Sequence, residues 1–193
     1  MKTLDINHQI QDQDHVVLIN KQNEVLGTAP KLATHNENTP LHRGFSVFLF
    51  NKKGELLLQQ RSHTKKTFPL IWSNSVCGHP MLNESNVQAA KRRLSYELGI
   101  DNVDIYEVIS DYRYKVGMNG IYENEICPVM VAFTDEKPKL NSDEVEDIKW
   151  VPWLEFVADV KNNPGKYSMW CEEETKLLKN NKKFLELYRQ YVS

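Results

Sequence analysis

The chain has 193 residues, enough for one domain with its own core, and its 40% hydrophobic and 26% charged residues are ordinary for a globular protein. A formal net charge of -2 gives no general attraction to nucleic acid or to an anionic membrane surface. The three cysteines are few and odd in number, which argues against a secreted disulfide framework, so free thiols are expected.

The N-terminal stretch MKTLDINHQIQDQDH is polar and acidic, whereas a signal peptide would be basic and then apolar. No apolar run approaches the roughly 18 to 20 residues that a membrane span requires. We therefore predict a cytoplasmic protein with a single domain over residues 1–193 that binds neither nucleic acid nor membrane. Residues 1–15 form a leader that either folds over a site or stays flexible.

The first predicted elements along the chain are β-strands. Residues 15–20 and 24–27 predict a short hairpin, and residues 28–40 a polar connection. The runs GFSVFLF (44–50) and ELLLQQ (55–60), separated by the turn NKKG, predict a second hairpin. This second hairpin is expected at the core of a mixed sheet.

The clearest predicted helix lies between Ser85 and Gly99. Ser85 and Gln88 form an S-x-x-Q capping box, and Gly99 is a usual helix stop. Apolar residues recur at spacings of three and four, which predicts a buried face. That face consists of Val87, Ala90, Leu94 and Leu98. Arg93 and Glu97 lie one turn apart on its flank.

The rest of the chain has strand patterns followed by helical patterns. Residues 104–116, 121–133 and 147–151 predict strands, and residues 154–160 and 169–191 predict one helix each. The predicted fold class is therefore α+β. No repeat, low-complexity tract or long linker marks a domain boundary.

Cys77 lies one glycine away from His79 in the stretch NSVCGHP. A buried cysteine is most often a small hydrophobic residue. Its place between a strand-like run and a glycine could also expose the thiol at a sheet edge. The residues alone leave these two interpretations balanced.

Three imidazoles and two carboxylates could form a metal site: His35, His42, His79, Glu123 and Glu125. The two glutamates are at i and i+2, hence on one face of a strand. This donor set suits zinc or manganese better than magnesium. The alternative, which spacing alone favours, is solvated loop histidines and an exposed strand face. The remaining histidines lack such company and are interpreted as surface residues: His8, His15 and His63.

Lysine and arginine bind phosphate through charge-assisted hydrogen bonds. The candidates for such a site are Lys31, Arg61, Lys65, Lys66 and Arg93. Each is individually more often a solvated surface side chain. Arg93 is the exception, because it lies on a helix flank that also carries Glu97.

Residues 78–100 read G-x5-E-x7-R-R-L-x-Y-E-x-G-I. This pattern resembles the Nudix signature G-x5-E-x7-R-E-U-x-E-E-x-G-U, whose glutamates hold magnesium against a diphosphate. Two of those glutamates are replaced here, by Arg93 and Tyr96. The lost negative charge disfavours a pyrophosphohydrolase with several magnesium ions.

The altered signature and the stretches LHRGFSVFLFN, RSHTKK, NSVCGHP, YRY, ENEICPV and SMW together resemble the type 1 isopentenyl-diphosphate isomerases. They occur in family order over about residues 31–170. The resemblance implies a Nudix-like mixed β-sheet sandwiched between helices. It also implies an isomerase of isoprenoid biosynthesis that interconverts isopentenyl and dimethylallyl diphosphate through a carbocation.

The resemblance implies a role for each candidate residue. Cys77 would be the catalytic cysteine that removes a proton, and Glu125, assisted by Tyr114, the group that donates one, although the residues tolerate the reverse. The implied ligands of one divalent metal (manganese, zinc or magnesium) are His35, His42, His79, Glu123 and Glu125. Glu97 would help to bind a magnesium on the substrate diphosphate.

The implied substrate-binding residues are Lys31, Arg61, Lys65, Arg93 and Trp170. Trp170 would be an aromatic lid, with Trp72 as a second cover, although Met169 replaces the family's usual proline before it. The alternative for Trp170 is a core aromatic that anchors the last helix.

Other functions remain open on the residues alone. A diphosphate hydrolase on the same fold is favoured by the residual signature and opposed by Arg93 and Tyr96. A non-catalytic metal- or phosphate-binding module would leave Cys77, Glu125 and Tyr114 unexplained. A papain-like thiol hydrolase is weaker, because His79 is too close to Cys77 in sequence. The predicted assembly is a monomer or weak homodimer.

Overall fold

The computed structural model describes residues 15–192. The strands within this range are β1 His15–Ile19, β2 Val25–Pro30, β3 His42–Arg43, β4 Phe45–Phe50, β5 Glu55–Arg61, β6 Trp72–Ser73, β7 Val76–Gly78, β8 Ile105–Ile109, β9 Arg113–Met118, β10 Ile121–Ile126, β11 Val129–Phe133 and β12 Val145–Pro152. The helices are α1 Lys31–Thr34, α2 Asn86–Leu98, α3 Trp153–Asn162, α4 Met169–Leu178 and α5 Lys182–Tyr191. Residues 1–14, most of the predicted leader and His8 with them, lie outside this range.

The strands form two mixed sheets. The smaller sheet has the order β2-β1-β3-β10-β9, and the larger has the order β12-β5-β4-β11-β8, with β6 added to β5 and β7 to β4. The pairs β3–β10 and β4–β11 are parallel, whereas the other pairs are antiparallel. The predicted α+β class with a mixed sheet is confirmed, but its division into two sheets was not predicted.

The predicted central hairpin separates almost at once. β4 and β5 pair only at Phe50 and Leu56, after which β4 follows β11 and β5 follows β12. The short strands β6 and β7 occupy the space between them. As a consequence, Cys77 on β7 lies directly opposite Ser46 on β4.

Helices cover both faces of the larger sheet. On one face, α2 buries Ala90, Leu94 and Leu98 as predicted, whereas Val87 is only partly buried. Ser85 and Gln88 form the predicted capping box, and Gly99 ends the helix with a left-handed φ of 62°. On the other face, the core includes aromatic residues from α3 and α5. The sheet is therefore sandwiched between helices, as the resemblance implied.

Several predicted elements are interrupted in the structure. The single helix predicted over residues 169–191 is wrong: α4 ends at Leu178, and Asn181 begins α5 by accepting a hydrogen bond from the Phe184 N–H. The strand predicted over 121–133 is divided at Pro128, which has no N–H for a ladder. The strand predicted over 104–116 is likewise divided, into β8 and β9.

The region predicted as a polar connection, residues 28–40, contains the end of β2 and the short helix α1. No helix within residues 15–192 is long and apolar enough to span a membrane.

Candidate active site

The predicted site residues meet where the chain passes between the two sheets. The chain crosses from β3 to β4 at Gly44 and from β10 to β11 at Cys127 and Pro128. A cavity at this place is lined by Lys31, Gln59, Arg61, Lys65, Thr67, Cys77, Gly78, His79, Arg93, Glu97, Tyr114, Glu123, Glu125 and Trp170. Residues that are far apart in the sequence thus line the same cavity.

Four side chains, two of which line the cavity, form a compact group with the composition of a metal site. Each of them offers a ligand atom, and these atoms lie within 4.8 Å of one another. The members of this group are His35, His42, His79 and Glu123. His42 is fully buried and Glu123 nearly so, which overturns the alternative of solvated histidines and an exposed strand face.

The group leaves polar atoms unsatisfied among the described residues. His35 Nε2, His42 Nε2, His79 Nδ1 and Glu123 Oε2 are buried without a hydrogen-bond partner. His35 Nε2 and Glu123 Oε2 are 2.8 Å apart, but their orientation does not make a hydrogen bond. Buried polar atoms in proteins are normally satisfied, and a divalent cation would satisfy this set. The residues therefore fit a metal.

Backbone carbonyls orient two of the imidazoles. His35 Nδ1 lies 2.7 Å from the Lys31 carbonyl oxygen, and His42 Nδ1 lies 2.9 Å from that of Pro40. A carbonyl only accepts, so Nδ1 of each ring carries a proton, and Nε2 is the nitrogen that faces Glu123 or Glu125. Burial alone would lower the pKa of His35, but Glu123 raises it. Burial lowers the pKa of His79 to about 4 although Glu125 opposes the shift, so this ring is neutral, the form that binds metals.

Glu125 lies between the Tyr114 hydroxyl and two histidines of the possible metal site, His42 and His79. Its Oε1 is 2.9 Å from His79 Nε2 and 3.5 Å from His42 Nε2, and its Oε2 accepts a hydrogen bond of 3.1 Å from the Tyr114 hydroxyl. Burial alone would raise the pKa of Glu125, but the two histidines hold it well below its usual range. Burial and the charge of Glu125 raise the pKa of Tyr114 well above its usual range. The pair therefore consists of a carboxylate and a neutral phenol.

Two glycines leave space for side chains in and around the site. A Cβ at Gly44 would overlap the Glu125 carboxylate. A Cβ at Gly78 would lie 3.0 Å from Phe45 Cζ and 3.1 Å from Arg93 Cγ. The backbone at Gly78 therefore approaches both of these side chains closely.

Cys77 holds its proton in this environment. Its thiol donates to Asn74 Oδ1 at 3.1 Å, and its sulfur is 3.6 Å from Ser46 Oγ. Burial raises the pKa of Cys77 to about 12. The side chain lines the cavity, so it is both shielded and within reach of a ligand.

Trp170 is a core aromatic and a cavity wall at once. It is 3% exposed. Its ring packs edge-on against that of Phe68, with 5.1 Å between the ring centroids, and stacks on that of Tyr114, with 5.8 Å between the centroids. Its indole N–H donates to Asn74 Oδ1 at 3.2 Å. Ser168 caps α4 and Met169 is its first residue, so the substitution of the family's proline leaves a regular helix start. Trp72 is not among the residues that line the cavity; its ring lies 4.1 Å from Lys149 Nζ.

Charged residues that line the cavity also form a network with Glu144. Glu144 accepts a hydrogen bond of 2.6 Å from Arg93 and pairs with Lys65. Glu97 accepts from Arg93 at 2.8 Å and from Gln59 at 3.0 Å, so both its oxygens are in use. Burial alone would raise the pKa of Glu144, but Arg93 and Lys65 lower it to about 2. Glu144, which was not predicted, therefore connects Lys65 with Arg93, and Gln59, also not predicted, holds the second oxygen of Glu97.

The remaining cationic candidates divide into two kinds. Arg61 lines the cavity, and its guanidinium donates to the carbonyl oxygens of Thr67 and Phe68. Lys31, at the start of α1, lines it as well. Lys66 is exposed and is not among the lining residues. His15 and His63 are exposed, as predicted, and His63 pairs with Glu146 at 2.6 Å.

Sequence reasoning missed the residues that hold the others in place: Ser46, Gln59, Asn74 and Glu144. Asn74 was within reach, because it lies in the same stretch as Cys77, three positions before it. The others come from separate segments whose spacing to the site carries no signal. Their roles depend on contacts that only the folded chain makes.

Comparison with known proteins agrees with this geometry. The NUDIX domain family matches residues 40–171. The chain is 43% identical over 162 residues to a protein of Saccharopolyspora erythraea named isopentenyl-diphosphate Delta-isomerase, covering 83% of this chain and 84% of that protein. A protein of Escherichia coli with the same name is 43% identical over 158 residues, covering 81% and 87%.

Solved structures show the same fold at low sequence identity. A Deinococcus radiodurans protein superposes with a TM-score of 0.62 at 19% identity, covering 93% of this chain and all of that one. A MutT protein of Methanosarcina mazei has a TM-score of 0.56 at 18% identity, covering 78% and 94%. The chain therefore belongs to the Nudix family and, within it, to the isopentenyl-diphosphate Delta-isomerases.

Proposed function

We propose that this chain interconverts isopentenyl diphosphate and dimethylallyl diphosphate by moving protons between Cys77 and the Glu125–Tyr114 pair. The interconversion is the activity of the chain's family, and the residue roles are our proposal. The single observation that carries them is one cavity with a thiol, a hydrogen-bonded carboxylate and phenol, and a cluster of cations on its walls.

This reaction needs two groups that exchange protons with different carbon atoms. Protonation of an unactivated alkene gives a tertiary carbocation, and loss of a proton from another carbon moves the double bond. A thiol and a carboxylate on opposite sides of a flat substrate meet that need. Lys65, Arg93 and Glu97, which also line the cavity, are engaged in ion pairs.

The resting protonation states support Cys77 as the donor toward isopentenyl diphosphate. Its thiol is protonated, whereas Glu125 is ionised and able to receive a proton directly or through the Tyr114 hydroxyl. This is the reverse of the assignment favoured from sequence. The two sides exchange roles when the reaction runs from dimethylallyl diphosphate.

The indole of Trp170 would shield the carbocation from water. A ring face near a cation contributes about 0.5 to 2 kcal/mol. Because Trp170 is held by Asn74 and Tyr114, it offers this face without ordering a loop on binding. Exclusion of water also prevents capture of the cation as an alcohol.

The diphosphate would lie against Lys31, Arg61, Lys65 and Arg93, with a magnesium ion that Glu97 helps to hold. Arginine and lysine give charge-assisted hydrogen bonds to phosphate oxygens. Glu144 keeps two of these cations charged and in position before substrate arrives. Arg93 replaces a signature glutamate, so a metal ligand of the hydrolases has become an anion ligand here.

A divalent metal would be held by His35, His42, His79 and Glu123, with Glu125 beside them. The donor set accepts manganese, zinc or magnesium. When bound, the ion would supply positive charge that fixes the carboxylates and balances their repulsion. Glu125 would still offer Oε2, the atom that faces Tyr114.

The decisive experiment is proton NMR of isopentenyl diphosphate in deuterated water with the metal-loaded chain and magnesium. Dimethylallyl diphosphate with incorporated deuterium and no released phosphate supports the proposal. Cys77→Ser should keep the fold and lose most turnover, and substantial activity in that variant would remove Cys77 from the mechanism. Released phosphate would indicate a diphosphate hydrolase instead.

We further propose a single domain over residues 1–193 that acts in the cytoplasm as a monomer or weak homodimer, on a small diphosphate and without nucleic acid or membrane. Light scattering after size exclusion, over a range of concentrations, tests the assembly. A stable higher oligomer would contradict it.

A further inference from the structure

Glu174 is a buried carboxyl group to which the proposed reaction gives no task. It lies on α4, one turn after Trp170, and none of its surface is exposed. Within residues 15–192 its Oε2 has no hydrogen-bond partner. The polar side chains that face it are Ser46 and Cys127, and the nearby charges of Glu125 and Glu173 are acidic. The strongest charges that act on Glu174 from the described residues therefore have the same sign as an ionised carboxylate and would not stabilise it.

An ionised carboxylate in such surroundings is too costly, so Glu174 is a neutral acid. Burial raises its pKa well above the usual range and the charge of Glu125 adds to the shift, although a hydrogen bond with Ser46 opposes it. A neutral carboxyl group has one O–H that it can donate. The acceptor of this proton must be one of the polar atoms around Glu174.

A continuous line of polar atoms connects Glu174 with the site thiol. Glu174 Oε1 is 3.9 Å from Cys127 Sγ, Cys127 Sγ is 3.5 Å from Ser46 Oγ, and Ser46 Oγ is 3.6 Å from Cys77 Sγ. Thiols donate and accept weak hydrogen bonds. The pairing of β4 with β7 fixes the last step, because Ser46 and Cys77 are directly opposite.

Each group in this line has one proton to donate, which limits the directions in which the hydrogen bonds along it can run. If Cys127 donates to Glu174 Oε1, the acid proton is left on Oε2, which has no acceptor. If Glu174 donates to Cys127, then Cys127 donates to Ser46 and Ser46 to Cys77. The Cys77 thiol keeps its own proton for Asn74. Of these two directions, only the second gives every donor in the line an acceptor.

We propose that Glu174 is a positioning residue that, through Cys127 and Ser46, directs a hydrogen bond onto the Cys77 sulfur and so fixes the thiol in the cavity. The inference rests on the proposed role of Cys77. Without the Glu174 donor, the Ser46 hydroxyl is free to turn toward Cys127. The thiol then loses one of its two fixed partners, and part of its alignment with the substrate.

The test is steady-state kinetics of the full-length, metal-loaded chain with variants at position 174. Glu174→Met keeps the length and removes the donor, and it should lower kcat roughly 10-fold with little change in KM, as expected for one lost hydrogen bond. Glu174→Gln keeps a neutral donor and should restore most of kcat. Glu173→Met, at the exposed neighbouring carboxylate, is the matched control and should leave kcat unchanged.

A second variant keeps the test valid if Glu174→Met does not fold. Cys127→Ala interrupts the same line at its middle and should lower kcat by a similar factor. Combined with Glu174→Met, it should cause no further loss, because both changes remove one chain of hydrogen bonds.

Several outcomes would overturn the inference: full kcat in Glu174→Met, an equal loss in Glu174→Gln, or additive losses in the double variant. The failure of the proposed function looks different. If Cys77→Ser retains turnover, Cys77 has no role to position. If Cys77→Ser is inactive and Glu174→Met is fully active, only the inference about Glu174 is wrong.

Discussion

Tyr114 and Glu125 are directly opposite one another on β9 and β10, and the Tyr114 hydroxyl donates to Glu125 Oε2 at 3.1 Å. The other carboxylate oxygen lies 2.9 Å from His79 Nε2. Glu125 thus has one oxygen toward the metal group and one toward the phenol. This division is what the proposed roles in metal binding and proton transfer require of a single side chain.

Tyr114→Phe tests this relationship. Loss of the hydroxyl removes the relay to Glu125 and should lower kcat about 10- to 100-fold with little effect on KM. Tyr112→Phe is the matched control, because its ring stacks on Tyr114 at 5.7 Å but its hydroxyl donates to Glu173. Unchanged kcat in Tyr114→Phe would exclude the relay.

Removal of His42 should reduce metal binding. His42 is fully buried and its Nε2 has no partner among the described residues, so His42→Ala removes a ligand that no neighbour can replace. We expect the metal-to-protein ratio after dialysis to fall well below that of the unaltered chain. His63→Ala, on the exposed surface, should leave it unchanged. Equal metal content in both variants would contradict the proposed ligand set.

The Cys77 thiol should remain protonated well above neutral pH. Burial raises its pKa to about 12, so the infrared S–H band that Cys77→Ser removes should persist to about pH 10. The difference between the two spectra isolates this thiol from the buried Cys127 and Cys171. Loss of the band near pH 8 would favour a thiolate at rest and the opposite direction of proton transfer.

Glu144→Gln should destabilise the chain in a pH-dependent way. Arg93 and Lys65 lower the pKa of Glu144 from an ordinary 4.5 to about 2 despite burial, so the stabilisation is present above about pH 4.5 and is lost as the pH falls toward 2. The unfolding free energy at pH 7 should drop by about 3 kcal/mol, an order-of-magnitude value.

Urea unfolding over a pH series measures this effect. The difference between the unaltered chain and Glu144→Gln should shrink as the pH is lowered from 5. Glu155→Gln, at an exposed position on α3, should show almost no difference at any pH. A constant difference for Glu144→Gln would assign the loss to packing instead of charge.

Gly44→Ala should displace Glu125. The added Cβ would overlap the carboxylate, so both kcat and metal content should fall while the fold persists. Gly165→Ala separates this effect from backbone strain, because Gly165 has a φ of 86° and open space around it. That variant should lose stability and keep its activity. Normal activity in Gly44→Ala would show that Glu125 tolerates displacement.

The sequence by itself determined the elements whose signals are local. The capping box of Ser85, the spacing of Ala90, Leu94 and Leu98 and the stop at Gly99 act within a few residues, and α2 forms as they predict. The motif from Gly78 to Ile100, with its substitutions at Arg93 and Tyr96, disfavoured a hydrolase, and it resembled the isomerases only together with the other stretches.

Only the tertiary structure decided which residues meet. The parallel pairing of β3 with β10 brings His42 beside Glu125, and α4 brings Glu174 within 3.9 Å of Cys127, although nothing in the spacing of these residues requires it. The reversed proton assignment also belongs here, because the pKa of Cys77 depends on burial by distant segments. Contacts across the sequence and the loss of water around them arise only when the chain is folded.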